Sequence, residues 1–110
     1  MAVRTLAERK TAKVAAKAAA VDELLRTLEH QAREIGGRYL LYGSAARGEL
    51  RPDSDVDLLL DFPDGNATAA AWDFAEDECA RLGLDCDIRP VAMCGLRFLA
   101  HVLPEARSLP

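Results

Sequence analysis

Ten residues separate the Gly43-Ser44 pair from Asp55, and a single valine separates Asp55 from Asp57, all inside the run YGSAARGELRPDSDVDLLLD of residues 42–61. Side chains two apart in an extended strand point the same way. Asp55 and Asp57 are therefore expected to share one face, with Val56, Leu58 and Leu60 on the other. Neighbouring carboxylates raise each other's pKa, and a cation between them relieves the repulsion. A hard divalent ion such as Mg²⁺ suits an all-oxygen donor set. Gly43 lets the backbone come close to a ligand, and Ser44 is expected to cap the following turn so that its N–H groups face an anion. Phosphate at the turn and metal at the acids is the apparatus of phosphoryl or nucleotidyl transfer.

The elements that must hold these residues follow from periodicity. Val14, Ala18, Val21, Leu25, Leu28, Ala32 and Ile35 step by three and four, the stripe of an amphipathic helix. Alanine propensity extends its possible start back to Ala2, and Gly36-Gly37 ends it. Residues 38–43 read as a first strand, 44–49 as one or two helical turns, and Arg51-Pro52-Asp53 as a turn. A second strand spans 55–62, and residues 63–66 break the chain. Trp72, Ala75, Cys79 and Leu82 mark the buried stripe of the next helix, which Gly83 ends. A third strand covers 84–89, stopped by Pro90, and Leu96, Leu99, Ala100 and Leu103 give a last helix ending near Pro104. This order predicts one domain over residues 1–110, an α/β (α+β) fold with a small mixed sheet of about three strands flanked by helices. The link between the first two strands is too short for a crossover, so they are expected to run antiparallel.

The GS–ten residues–DxD pattern, filled here by Gly43-Ser44-Ala45-Ala46-Arg47-Gly48 and Ser54-Asp55-Val56-Asp57-Leu58, resembles the minimal nucleotidyltransferases (MNT proteins) of the DNA polymerase β-like nucleotidyltransferase superfamily. The resemblance covers about residues 20–109. It implies the nucleotidyltransferase fold, a site for two Mg²⁺ ions, ATP as substrate and a third carboxylate from a later strand. Two ions clamp the attacking and leaving oxygens of such a transfer. Asp85 and Asp87 share a face of the third strand. The family's pattern of Asp between apolar residues, ahead of a proline and a final helix, favours Asp87 as metal ligand and base, with Asp85 as the alternative. Arg47 either touches phosphate, as the signature implies, or pairs with Glu49 or an acid of the second strand. Ser54 either caps the turn or touches phosphate.

Composition sets the remaining bounds. A chain of 110 residues suits one domain, half of its residues are apolar, and its formal net charge is −4. No apolar run approaches the roughly 20 residues of a membrane span, and no secretory leader is read at the N-terminus. Cys79, Cys86 and Cys94 lack ligand spacing and are expected as reduced thiols in a cytoplasmic protein. His30 and His101 have no His or Cys at ligand spacing and read as surface residues. Trp72 reads as core, and Tyr39 and Tyr42 as strand residues. Residues 1–20 carry Arg4, Arg9, Lys10, Lys13 and Lys17 against Glu8, a surplus of four positive charges, so the other ninety residues sum to −8. Such a basic arm is either the solvated side of a helix or a docking surface for an acidic partner; a body of −8 argues against nucleic acid.

By this resemblance the expected role is the antitoxin half of a HEPN/MNT toxin–antitoxin module. Members of that family transfer AMP from ATP to a tyrosine of a partner HEPN ribonuclease. At 110 residues the chain is expected to carry no second domain for recognising a small molecule or tRNA. The alternatives are an antitoxin that neutralises its partner by contact alone, and a small-molecule nucleotidyltransferase.

Overall fold

The structure, a computed structural model, describes residues 5–109. Its first element is the helix α1, Leu6–Ile35, whose start is set by a capping box. The Thr5 hydroxyl accepts from the Glu8 N–H at 3.1 Å, and the Thr5 N–H donates to the Glu8 carboxylate at 3.2 Å. Thr5 itself is extended, so the helix begins at Leu6; the earlier start considered at Ala2 lies outside the described residues. Gly36 ends α1 in the left-handed conformation, φ 88°. The helix buries Val21, Leu24, Leu25, Leu28 and Ala32, all in its second half. Its first three turns are largely exposed. Thirty residues of helix run to about 45 Å, which accounts for the 54 Å long axis of a molecule only 29 × 17 Å across.

Four strands follow: β1 (Arg38–Tyr42), β2 (Val56–Asp61), β3 (Cys86–Pro90) and β4 (Arg107–Leu109). The short helix α2 (Gly43–Ala46) and a turn join β1 to β2; α3 (Gly65–Arg81) joins β2 to β3; α4 (Leu96–Val102) precedes β4. The sheet order is β3-β2-β1-β4. β1 and β2 are antiparallel, as the short link requires, whereas β2 and β3 are parallel across the α3 crossover. The expectation of three strands is corrected by β4, which pairs antiparallel with β1. A three-residue strand is too short to leave a periodic signal. Pro90 also lies within β3, opposite Leu60 at the sheet edge, where a missing N–H costs no ladder bond.

The sheet divides two apolar layers. Tyr39 and Leu41 of β1, Val56, Leu58 and Leu60 of β2, and Ile88 of β3 pack against α1 and α3 in the main core. Leu40, Tyr42 and Leu59 face the other way and meet Val102, with Phe98 and Leu99 beside it, under α4. Leu24, Leu28, Leu58 and Leu59 are fully buried; each such burial contributes about 2 kcal/mol.

Two expectations are corrected in α3. Ala71, Ala75 and Cys79 take its buried positions, while Trp72 is half-buried and its indole N–H donates to Glu76 at 2.7 Å. The half-buried indole N–H finds its partner in an exposed carboxylate one turn on. Cys79 and Cys86 are joined in a disulfide, leaving Cys94 free. The chain reverses at Gly83, φ 68°, and brings the end of α3 onto the start of β3. The bridge removes the thiol argument for a reducing compartment. No helix among the described residues is long and apolar enough to cross a membrane.

Candidate active site

Strand alternation decides which side chains share a surface. With Val56, Leu58 and Leu60 committed to the main core, Asp57 must project from the opposite face, the one that α4 only partly covers. On β3 the same logic sends Ile88 to the core and Asp87 and Arg89 to the open face. Register then brings the acids together: Asp57 lies directly opposite Asp87 in the parallel ladder. Asp85 lies before the start of β3, where its carbonyl accepts from the Val56 N–H at 2.8 Å. Asp55 stands just ahead of β2 and is exposed.

The electrostatics report the same grouping. The Asp57 carboxyl is held above the ordinary carboxylate range by partial burial first, then by the charges of Asp87 and Asp55; Arg89 and Arg47 oppose the shift. Tyr42, opposite Asp57 in the β1–β2 pairing, is pushed up to about 12, by burial first and then by Asp87 and Asp57. One surface therefore gathers Asp55, Asp57 and Asp87 with the Tyr42 ring at its floor.

Gly43 opens α2 directly beneath these acids with φ 71°, a conformation that favours glycine. A Cβ built there would overlap Oδ2 of Asp57 and stand 3.2 Å from its Cγ. What glycine clears at this position is the protein's own carboxylate. Ser44 does not cap the turn as expected: Tyr42 is the N-cap residue and no side chain caps α2. The first N–H groups of a helix have no intrahelical acceptor, so those of α2 are left to an outside one. Arg47 adopts one of its two foreseen arrangements, pairing with Glu49 at 3.2 Å, and adds Glu105 at 3.4 Å. The Ser54 hydroxyl accepts from the Arg51 N–H at 2.9 Å and so closes the turn.

Two further residues, Arg89 and Phe98, join this surface, and a third, Lys17, braces the turn leading into it. Lys17, assigned to the basic arm, reaches across from α1 and donates its ammonium to the carbonyls of Arg51 (3.3 Å), Pro52 (3.0 Å) and Ser54. It thereby pins the turn that leads into Asp55. Arg89 pairs with Asp87, Nη2 to Oδ2 at 3.1 Å and Nε to Oδ1 at 3.4 Å. Its guanidinium lies 5.2 Å from the centroid of the Phe98 ring, and Phe98 meets Tyr42 edge to face at 5.8 Å. Alternation from Asp87 pointed to Arg89; nothing in the sequence pointed to Lys17 or Phe98.

In chemistry the donor set fits a hard divalent cation: carboxylate oxygens from two adjacent strands on an open face. Among the described residues no three His, Cys, Asp or Glu side chains are already arranged around a common point. Asp87 instead turns both of its oxygens to Arg89. The larger clefts lie elsewhere. One of 610 Å³ is lined by Gly36, Arg38 and Asp61, and one of 570 Å³ by Phe62, Trp72 and Met93. Beside Arg89 and Phe98 there is a smaller cleft of 340 Å³.

The family model for the nucleotidyltransferase domain matches residues 21–99. That span includes Gly43-Ser44, Asp55, Asp57 and Asp87, and omits β4 and the exposed half of α1. No curated protein matches the chain. With most of its length matched, and the glycine turn of α2 set against an acid pair on β2 and β3, the chain belongs to the nucleotidyltransferase domain family.

Proposed function

We propose that the protein is a Mg²⁺-dependent adenylyltransferase of the MNT type, the antitoxin of a HEPN/MNT pair, which transfers AMP from ATP to a tyrosine of its HEPN ribonuclease partner. The observation that carries the reading is the pairing of Asp57 with Asp87 across β2 and β3, with Asp55 beside them. Asp55, Asp57 and Asp87 would hold the metal, and bound Mg²⁺ would neutralise charge on the transferring and leaving phosphates. The uncapped N–H groups at Gly43 and Ser44 would take phosphate oxygens, with Arg47 close by. Ser54 supports the site by fixing the turn.

In this reading the acceptor tyrosine oxygen attacks the α-phosphorus, the bond from the α-phosphorus to the bridging oxygen breaks, and pyrophosphate leaves. Asp87 accepts the phenolic proton. Catalysis then rests on alignment and on fixed charge. The acids lie on an exposed surface, with Asp55 open to solvent, which suits the side chain of another protein better than an enclosed small molecule. The same reasoning proposes a hetero-oligomer with the toxin, and ATP as substrate proposes a cytoplasmic setting. Neutralisation by contact alone, or transfer to a small molecule, are the competing readings; the first draws on the Arg89 pairing that occupies Asp87.

The test is to co-purify the protein with the product of the adjoining reading frame and supply α-labelled ATP with Mg²⁺. Label on a partner tyrosine, lost in the D55N/D57N double variant, is the expected result. Undiminished label with that variant would remove the catalytic assignment. Tight complex formation without label would leave contact-only neutralisation.

A further inference from the structure

Arg89 stands two residues beyond Asp87 on the same strand face, inside the surface that the acids form. It uses two nitrogens on the two oxygens of Asp87, while its guanidinium carbon lies over the Phe98 ring, 5.2 Å from the centroid. The pair is half-exposed on both sides, and exposed ion pairs of this kind are weak and readily exchanged. Its aromatic contact is of a different sort. The cation–π contact with Phe98 holds the charge near the site without using its hydrogen-bond donors, and Phe98 is itself held edge-on by Tyr42. Arginine's planar fork fits a carboxylate and a phosphate equally well. The other arginine near Asp57, Arg47, is already shared between Glu49 and Glu105.

We infer that Arg89 is an exchangeable counterion: it neutralises Asp87 when no cation is bound, and turns on its Phe98 platform to the phosphate oxygens of the nucleotide when metal and nucleotide arrive. The inference rests on the nucleotidyl-transfer reading above. It accounts for a set of acids that is chemically suited to a cation yet not arranged around one. While Arg89 lies against both oxygens of Asp87, its positive charge competes with a cation for that carboxylate. Release of Arg89 both frees the ligand and delivers a positive charge to the triphosphate, so cation and nucleotide should bind with positive coupling.

Four proteins test this: wild type, R89A, R89K and D57N, each checked for folding by circular dichroism. Two quantities are read, Mn²⁺ affinity without nucleotide and affinity for a non-hydrolysable ATP analogue with Mg²⁺. Without its competitor, R89A should bind Mn²⁺ about fivefold more tightly. The same variant should bind the analogue about tenfold more weakly, having lost a charge-assisted phosphate contact. R89K keeps the charge but not the fork and should fall between. An R89A protein that binds Mn²⁺ no tighter than wild type overturns the exchange, as does an R89K protein indistinguishable from wild type in both measurements. D57N separates the two levels. If D57N retains full Mn²⁺ affinity, the metal site itself is misassigned; if D57N loses it while R89A is unchanged, only the role of Arg89 fails.

Discussion

Gly43 and Asp57 occupy one space. A β-carbon on residue 43 would overlap Oδ2 of Asp57, so the glycine of the turn and the second acid of the pair constrain each other sterically before any ligand is considered. Gly43→Ala combines this overlap with a left-handed backbone, φ 71°. It should destabilise the fold by about 2 kcal/mol or more and displace the carboxylate, weakening Mn²⁺ binding. In an Asp57→Ala background the same substitution should cost clearly less, because the overlapping group is gone. Urea unfolding of the four proteins of this cycle measures the coupling; strict additivity would refute the shared space.

Asp57 sets a pH dependence whose sign follows from its raised pKa. An acid with a higher pKa folded than unfolded stabilises the fold at pH below its ordinary value. That contribution is lost as pH rises through the folded value. At neutral pH the ionised carboxylate is therefore a cost that a bound divalent cation offsets. Thermal melts should show Mg²⁺ raising the Tm at neutral pH and losing this effect as pH falls into the carboxylate range. Asp57→Asn should melt at or above wild type without metal and respond little to Mg²⁺, while transfer falls by about a thousandfold or more. A lower metal-free Tm for this variant would contradict the sign.

Lys17 joins α1 to the turn before Asp55 through the carbonyls of Arg51, Pro52 and Ser54. Lys17→Met keeps the aliphatic stem and removes the ammonium. It should cost about 1 kcal/mol and loosen residues 51–54. Hydrogen exchange reports this directly, since the Ser54 N–H donates to Arg51 at 3.1 Å and should exchange faster in the variant. Unchanged Ser54 protection would show the turn to be held by its own bonds alone.

The Cys79–Cys86 bridge closes a short loop, seven residues apart in sequence. Thiol titration of the unfolded, unreduced protein should find one free thiol, Cys94. Reduction should lower stability by about 2 kcal/mol through the freed loop. Three titratable thiols in the non-reduced protein would mean that the bridge does not form in solution.

The exposed first turns of α1 carry Arg9 and Lys10 ahead of an acidic body. If they steer a partner, removing residues 1–12 should slow association and flatten its salt dependence, since exposed charge is screened beyond about 8 Å at physiological salt. Stopped-flow association at two ionic strengths reads both. An unchanged on-rate would assign this stretch to solvation alone.

The chain's local order was legible from residue types because it depends on neighbours in sequence. The three-and-four spacing from Val21 to Ala32 marks the buried stripe of α1. Alternation through Val56, Leu58 and Leu60 sends Asp57 to the opposite face, and the short link after Gly43 makes β1 and β2 antiparallel. Strand parity alone does not choose between Asp85 and Asp87; only the family's residue pattern favoured Asp87. The parallel register that sets Asp87 opposite Asp57 comes from how α3 packs its crossover. The same holds for β4, for the Cys79–Cys86 bridge and for Lys17, thirty-four or more residues from the carbonyls it binds. Periodicity records which side of an element is wet or dry; it carries no information about distance between elements, and contacts between elements depend on the packing of the whole chain.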